Sequence, residues 1–190
     1  MATPAHPVIP DLPTLTRLFY ASPAALGEFA EVAVDDLPPD YRRLLAHNDH
    51  MTVAVEEFHR SPVDVRVLDR RITPTHYARR ILLTRQSDGA VVQFGIMRVN
   101  LAYLPPEART EIEREQTPLG RILIEHDVHR RVQLFSLRRI QLGEELRRLF
   151  DAPATNVTYG RTAVIDCNGA PAVELLEIVT PLDLAERGRA

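Results

Sequence analysis

The chain has 190 residues, 45% of them hydrophobic, with a net charge of −3 and one cysteine. That length fits a single domain spanning 1–190 with one core, the charge argues against a general nucleic-acid binder, and a lone Cys167 excludes an internal disulfide. All 23 basic residues are arginine, so only the placement of an arginine, not its abundance, is informative. With no basic-plus-apolar leader and no long apolar run, a cytoplasmic protein without membrane segments is expected.

Residues 1–10, rich in proline and alanine, read as a loose arm, and 183–190 as a short tail. Short helices are expected over 12–20 and 23–32, with Asp11 or Ser22 as caps, and Pro38-Pro39 opens another through Leu45. Asn48-Asp49 supplies an N-cap for a helix through Phe58, in which Met51, Val55 and Phe58 share the core-facing side. After Pro62 the period changes to two, and 63–73, 77–85 and 91–99 read as successive antiparallel strands. Ser87-Asp88-Gly89 closes the last two into a hairpin. Pro105-Pro106 starts a charged helix running to about Gln116. Thr117-Pro118-Leu119-Gly120 is a second helix start, with Thr as cap and Pro at the first helical position. A strand over 130–140, a helix over 142–150 and strands near 156–166 and 170–180 complete the chain, the last two joined at Asn168-Gly169. A block of strands with helices before and between them predicts an α+β domain: one antiparallel sheet with helices packed on one face.

Strand alternation puts Tyr77, Arg79, Ile81 and Leu83 on one face of 77–85, the more apolar one. A guanidinium there cannot shed its charge, so Arg79 meets an internal carboxylate, an anionic ligand or water at the edge of the sheet. Glu177 shares its face with Val173, Leu175 and Val179, whereas Glu174 falls on the other with Leu176 and Ile178. Burial of Glu177 favours its neutral form and a nearby arginine the carboxylate. The first-turn amides at Met51 and at Leu119 or Gly120 have no partner within their helices and are candidate anion contacts. His47 and His50, like His126 and His129, have an i, i+3 spacing, but no third ligand follows and no metal site is assigned. Cys167 lacks the surroundings of a nucleophile, and no glycine-rich phosphate loop is present.

Four ordered stretches together resemble the chorismate lyase family. Asp49-His50-Met51-Thr52 is similar to its Asp-x-Met-Thr helix start, Arg79-Arg80-Ile81-Leu82-Leu83 to its Arg-x-Ile-Leu-Leu strand, Thr117-Pro118-Leu119-Gly120-Arg121 to its Thr-Pro-Leu-Gly-Arg element, and Glu177-Ile178-Val179-Thr180-Pro181 to the end of its last strand. The resemblance covers about 48–181. It departs in a longer N-terminal region, a wider 85–90 turn and a His-rich 125–131 segment, as in a branch diverged from the ubiquinone-pathway enzymes. It implies an internal ligand site under helical flaps and a cofactor-independent, metal-free carbon–oxygen lyase that eliminates pyruvate from chorismate to leave 4-hydroxybenzoate. Substrate contacts then fall on Met51 and Leu119 through their backbone, on Arg79, and on Glu177, with Arg79 and Glu177 as the catalytic pair. The expected partner is the small-molecule substrate alone, with no nucleic acid or membrane, in a monomer or a dimer. Two alternatives stand beside this: a non-catalytic small-acid effector-binding domain of the same architecture, and an enzyme of this fold giving another hydroxybenzoate. Glu177→Gln is expected not to destabilise the fold, on the premise that the carboxyl has no fixed partner.

Overall fold

The computed structural model describes residues 10–153 and 157–182; the expected arm, save Pro10, and the expected tail lie outside them. Among the described residues seven strands form one sheet: β1 (Gly27–Val32), β2 (Val63–Ile72), β3 (Tyr77–Arg85), β4 (Val91–Val99), β5 (Arg130–Leu142), β6 (Val157–Cys167) and β7 (Ala170–Val179). Their order across the sheet is β1-β5-β6-β7-β4-β3-β2, with every neighbouring pair antiparallel. The helices are α1 (Leu12–Arg17), α2 (Pro39–Leu45), α3 (Met51–His59), α4 (Pro106–Arg114), α5 (Leu119–Glu125) and α6 (Glu144–Phe150). None of the described helices is long and apolar enough to cross a membrane.

Both expected hairpins form, for the expected reason. Asn168 and Gly169 take φ of 53° and 83°, the two left-handed positions that a two-residue turn matching strand twist requires. At the other turn Gly89 has φ of 72°. There Arg85 clasps the carboxylate of Asp88 with Nε–Oδ1 at 3.1 Å and Nη2–Oδ2 at 2.6 Å, which accounts for one buried arginine.

The helices α2 to α5 lie on one face of the sheet, the α+β arrangement expected. Leu44, Leu45 and Val55 pack there with Leu83, Leu137 and Val179, and Ile112, Ile122 and Leu123 with Val99, Ile165 and Val173. The small helices α1 and α6 add a thinner cover on the opposite face, where Leu15, Leu146 and Phe150 meet Leu82, Phe94, Ile140 and Ile178. Strand alternation separates the two sets, since Leu82 and Leu83 point to opposite sides.

Three local expectations are corrected. The segment 23–32 is not a helix but one 3-10 turn, Pro23–Ala25, followed by the edge strand β1. Gly27 takes φ of 145° and lies so close to β5 that a Cβ would sit 2.1 Å from the Gln141 carbonyl oxygen, so the chain leaves helical geometry there and pairs with β5. Asp11 does cap α1, accepting from the Thr14 amide at 3.0 Å. Asn48-Asp49, however, does not cap α3. His50 holds the cap position without a side-chain bond, and Asn48 Oδ1 accepts instead from the Leu134 amide at 3.0 Å. Helix α5 likewise starts one residue later than expected, with Pro118 at the cap, while the Thr117 hydroxyl donates to Glu111 Oε1 at 2.9 Å.

Candidate functional site

Between the helix-covered face of the sheet and the first turns of α3 and α5 lies an internal cavity of about 50 Å³. Met51, Arg79, Leu119 and Glu177, drawn from two helices and two strands, all line it. Its cover is held closed from the helix side. The Arg121 guanidinium of α5 pairs with Glu56 of α3, and Gly120 packs so tightly that a Cβ would stand 3.0 Å from Thr52 Oγ1 and 3.2 Å from His50 Cβ. Arg130 Nε donates to His50 Nε2 at 2.9 Å, joining the start of α3 to β5. A larger open groove runs outside this cover, but there Arg43, Arg130 and Arg131 are accompanied by Asp49, Glu57 and Asp127. The inner cavity is the one with uncompensated charge.

That charge is Arg79. It is 0% exposed; among the described residues its guanidinium donates from Nη2 to the Thr117 carbonyl at 3.4 Å and has the Tyr77 hydroxyl beside it. Nε and Nη1 are buried without a partner. Burial pulls its pKa below the ordinary value, opposed by Tyr77 and Glu115. Those two are occupied with each other, the Tyr77 hydroxyl donating to Glu115 Oε1 at 2.6 Å and Arg70 Nη1 to the same oxygen at 3.1 Å. A guanidinium has five donors and stays charged, so leaving two N–H-bearing nitrogens without a protein partner is costly.

Glu177 faces the cavity as strand parity indicates, and Glu174 on the other face pairs with Arg98, Nη2–Oε1 2.5 Å. The partner of Glu177, however, is neither Arg79 nor a ligand. It is Arg161 of β6, fully buried, whose Nε stands 2.7 Å from Glu177 Oε2. Arg161 also donates from Nη1 to the carbonyls of Leu45, at 3.4 Å, and His47, at 3.0 Å, and from Nη2 to that of Asp49, at 3.0 Å. It thereby ties the sheet to the segment that leads into α3. The premise that Glu177 lacks a fixed partner is thus corrected. Arg161 was missed by sequence reasoning although the signal was present, since it stands among Tyr159, Ala163 and Ile165 on one strand face just as Arg79 stands among Tyr77, Ile81 and Leu83.

Two further lining residues escaped the sequence reading. Gln93 of β4 is 2% exposed with Oε1 unpartnered, and Gly95 leaves the floor of the cavity without a side chain. Neither has a local signature, because each matters only through what faces it.

The histidines engage the protein. His47 Nε2 donates to the Leu44 carbonyl at 2.8 Å, leaving Nδ1 to accept from the Asp49 amide at 3.1 Å. Burial lowers its pKa, with Arg161 adding to the effect. His50 is pulled down to about 4 by burial, then by Arg130 and Arg161. His126 meets Glu111, Nε2–Oε2 2.7 Å. Among the described residues no group of three or more His, Cys, Asp or Glu side chains is placed to hold a metal ion. Cys167 is buried, and that burial pushes its thiol up to about 12.

No family model matches the chain, and no curated protein matches it. Its fold is similar to that of PhnF from Mycobacterium smegmatis, with a TM-score of 0.54 and 11% identity over 69% of this chain and 63% of that one. The chain therefore spans 63% of the length of PhnF. The effector domain of PhnF gives a TM-score of 0.53 and 10% identity over 70% of this chain and 88% of the domain. Gene product SA0254 from Staphylococcus aureus gives 0.50 and 10% over 64% and 86%. At such identities the likeness is one of fold alone, a single antiparallel sheet with helices packed on it.

The chorismate pyruvate-lyase expectation is corrected, because the fold is similar to that of a unit described as an effector domain, that of PhnF, which favours the non-catalytic alternative. The physical reason is that the four ordered motifs supply the lining of one cavity and nothing more. An arginine on a strand face, two helix starts and an inward carboxyl describe how an acid is held, which a binder and a lyase share, and contain no signature of turnover.

Proposed function

We propose that this chain binds a small organic acid in the cavity beneath α3 and α5 and releases it unchanged. The observation that carries this reading is Arg79, a buried cation with Nε and Nη1 unpartnered against the cavity. Nε and Nη1 lie on different edges of the guanidinium, and a carboxylate approaching either edge receives a charge-assisted hydrogen bond from the unpartnered nitrogen there. Met51, at the first position of α3, brings first-turn amides to the same space. Leu119 and Leu175 supply apolar wall for the rest of the ligand. Glu177 is a positioning residue in this reading: its ion pair with Arg161 holds the sheet against the segment that starts α3. Likeness of fold to a protein unit described as an effector domain supports a binding role. With its cover closed the cavity accepts an acid head group and a few attached atoms, so a larger acid requires the first turns of α3 and α5 to move apart.

The test is calorimetric titration of the full chain with acetate, benzoate and cyclohexanecarboxylate, alongside Arg79→Met. At least one acid is expected to bind the parent and to lose 100-fold or more in affinity with the variant, about the effect of removing one partner of a buried charge-assisted contact. Binding that survives the substitution, or no binding of any acid, overturns the reading. Chorismate incubated with the protein is expected to be recovered intact, and release of pyruvate would overturn the non-catalytic part.

A further inference from the structure

The inner cavity and the outer groove share a partition, since His50 and Val132 line both. Val132 belongs to β5 and is buried, so the sheet fixes its position. His50 is held differently. It stands at the cap of α3 with extended backbone and makes no side-chain bond to the helix. It is half-buried, and its Nε2 accepts from Arg130 Nε at 2.9 Å. Arg130 lines the groove and is anchored there, donating from Nη1 to the carbonyls of Val128 at 3.1 Å and Leu123 at 3.3 Å. On the α5 side Gly120 leaves the ring its space, because a Cβ there would stand 3.2 Å from His50 Cβ and 3.3 Å from Cγ.

Two ways of opening the cavity differ in what they break. Parting α3 from α5 separates Arg121 from Glu56. It also disturbs the Val63 amide, which donates to Glu56 Oε1 at 3.0 Å, and the Asp49 carbonyl, which accepts from buried Arg161 at 3.0 Å. Turning the His50 side chain about its own bonds breaks the bond from Arg130, which keeps its two carbonyl acceptors, and leaves both helices in place. The groove, about 1130 Å³ in volume, has room to receive the ring. We infer that small acids reach Arg79 from the outer groove past His50, whose imidazole closes the passage and whose partner Arg130 latches it. For its ligand this rests on the carboxylate reading of Arg79. The route explains why Arg130, a groove residue, is bonded to a residue that also lines the inner cavity, and why residue 120 has no side chain.

The experiment places a thiol inside the cavity of the full chain by Met97→Cys and follows its modification by methyl methanethiosulfonate, a small neutral reagent, by peptide mass separately from Cys167. Met97 lines the cavity opposite Arg79 in the β3–β4 register, and the guanidinium favours the reactive thiolate. Adding His50→Ala, which keeps the Cβ and removes the ring, is expected to speed modification about tenfold or more. His50→Trp, with a larger ring, is expected to slow it, a result that general loosening of the fold would not produce. Arg130→Met is expected to speed it too, and to add little on top of His50→Ala, because the latch acts only through the imidazole. Arg121→Met, which releases α5 from Glu56, is expected to leave the rate within about twofold. Leu175→Cys, which places the thiol on β7 opposite Met97, carries the same series where Met97→Cys does not fold. A rate unchanged by His50→Ala, raised by His50→Trp, or raised by Arg121→Met overturns the route, and full additivity of Arg130→Met with His50→Ala overturns the latch. The labelling uses no acid, so failure of acetate, benzoate and cyclohexanecarboxylate to bind sinks the carboxylate reading, whereas the labelling rates alone decide the route.

Discussion

Arg161 and Glu177 stand directly opposite one another on β6 and β7, and their side chains meet at 2.7 Å on the helix-covered face of the sheet. This pair neutralises the one carboxylate of the cavity and leaves Arg79 as its free charge. The different roles of the two arginines lead to opposite expectations for their removal.

Arg79→Met removes a buried cation that has one long hydrogen bond and keeps most of its apolar volume. The variant is expected to be more stable than the wild type in the absence of ligand, by about 1–3 kcal/mol in urea unfolding. A loss of stability would show that the guanidinium is satisfied within the folded protein, and the anion site would lose its basis.

Glu177→Gln leaves Arg161 buried without its counter-charge. A loss of about 3 kcal/mol is expected, the usual scale for breaking a buried pair from one side. Combining Arg161→Met with Glu177→Leu should recover most of that loss, because an apolar pair replaces a charged one. Equal destabilisation by the single and the double change would show that the tie from Arg161 to residues 45–49, and not the ion pair, carries the energy.

His50 is held neutral in the fold, its pKa lowered from 6.5 to about 4. The unfolded chain binds the proton first, so between these values it carries more protons than the native state and stability rises with pH. This contribution is full above about 6.5 and is lost as pH falls towards about 4, by up to about 3 kcal/mol. His47, also lowered, acts in the same direction. His50→Gln keeps an acceptor for Arg130 but cannot titrate, and its urea midpoint should vary less steeply across this window. An unchanged slope would show that His50 does not carry the effect.

Gly95→Ala places a methyl group on the cavity floor at 3.3 Å from Ile81 Cγ1, a contact that a small shift relieves. Stability is expected to stay within about 0.5 kcal/mol, while binding of cyclohexanecarboxylate weakens about tenfold. Unchanged affinity would mean that the ligand does not lie across Gly95.

Elements whose cause is local were legible in the chain: the Asn168-Gly169 turn, the paired strands around Gly89, the apolar stripe of α3, and Arg79 on the buried face of β3. Each depends on a period of two or 3.6 or on a residue that tolerates a left-handed turn, and needs no distant partner. The edge strand β1 was read as helix because what makes it a strand is β5, more than a hundred residues away, with Gly27 opposite Leu142. The pairing of Glu177 was hidden for a subtler reason. Counting outward from the turn, Cys167 faces Ala170 and Asp166 faces Pro171, and an unbroken ladder would set Arg161 against Leu176. A bulge between Ile165 and Asp166 slips the register by one residue and brings Arg161 opposite Glu177 instead. Alternation along the strands supplied the faces of Arg79 and Glu177, but which arginine is neutralised and which stays free was decided by that slip, a feature of backbone packing that no local pattern of side chains encodes.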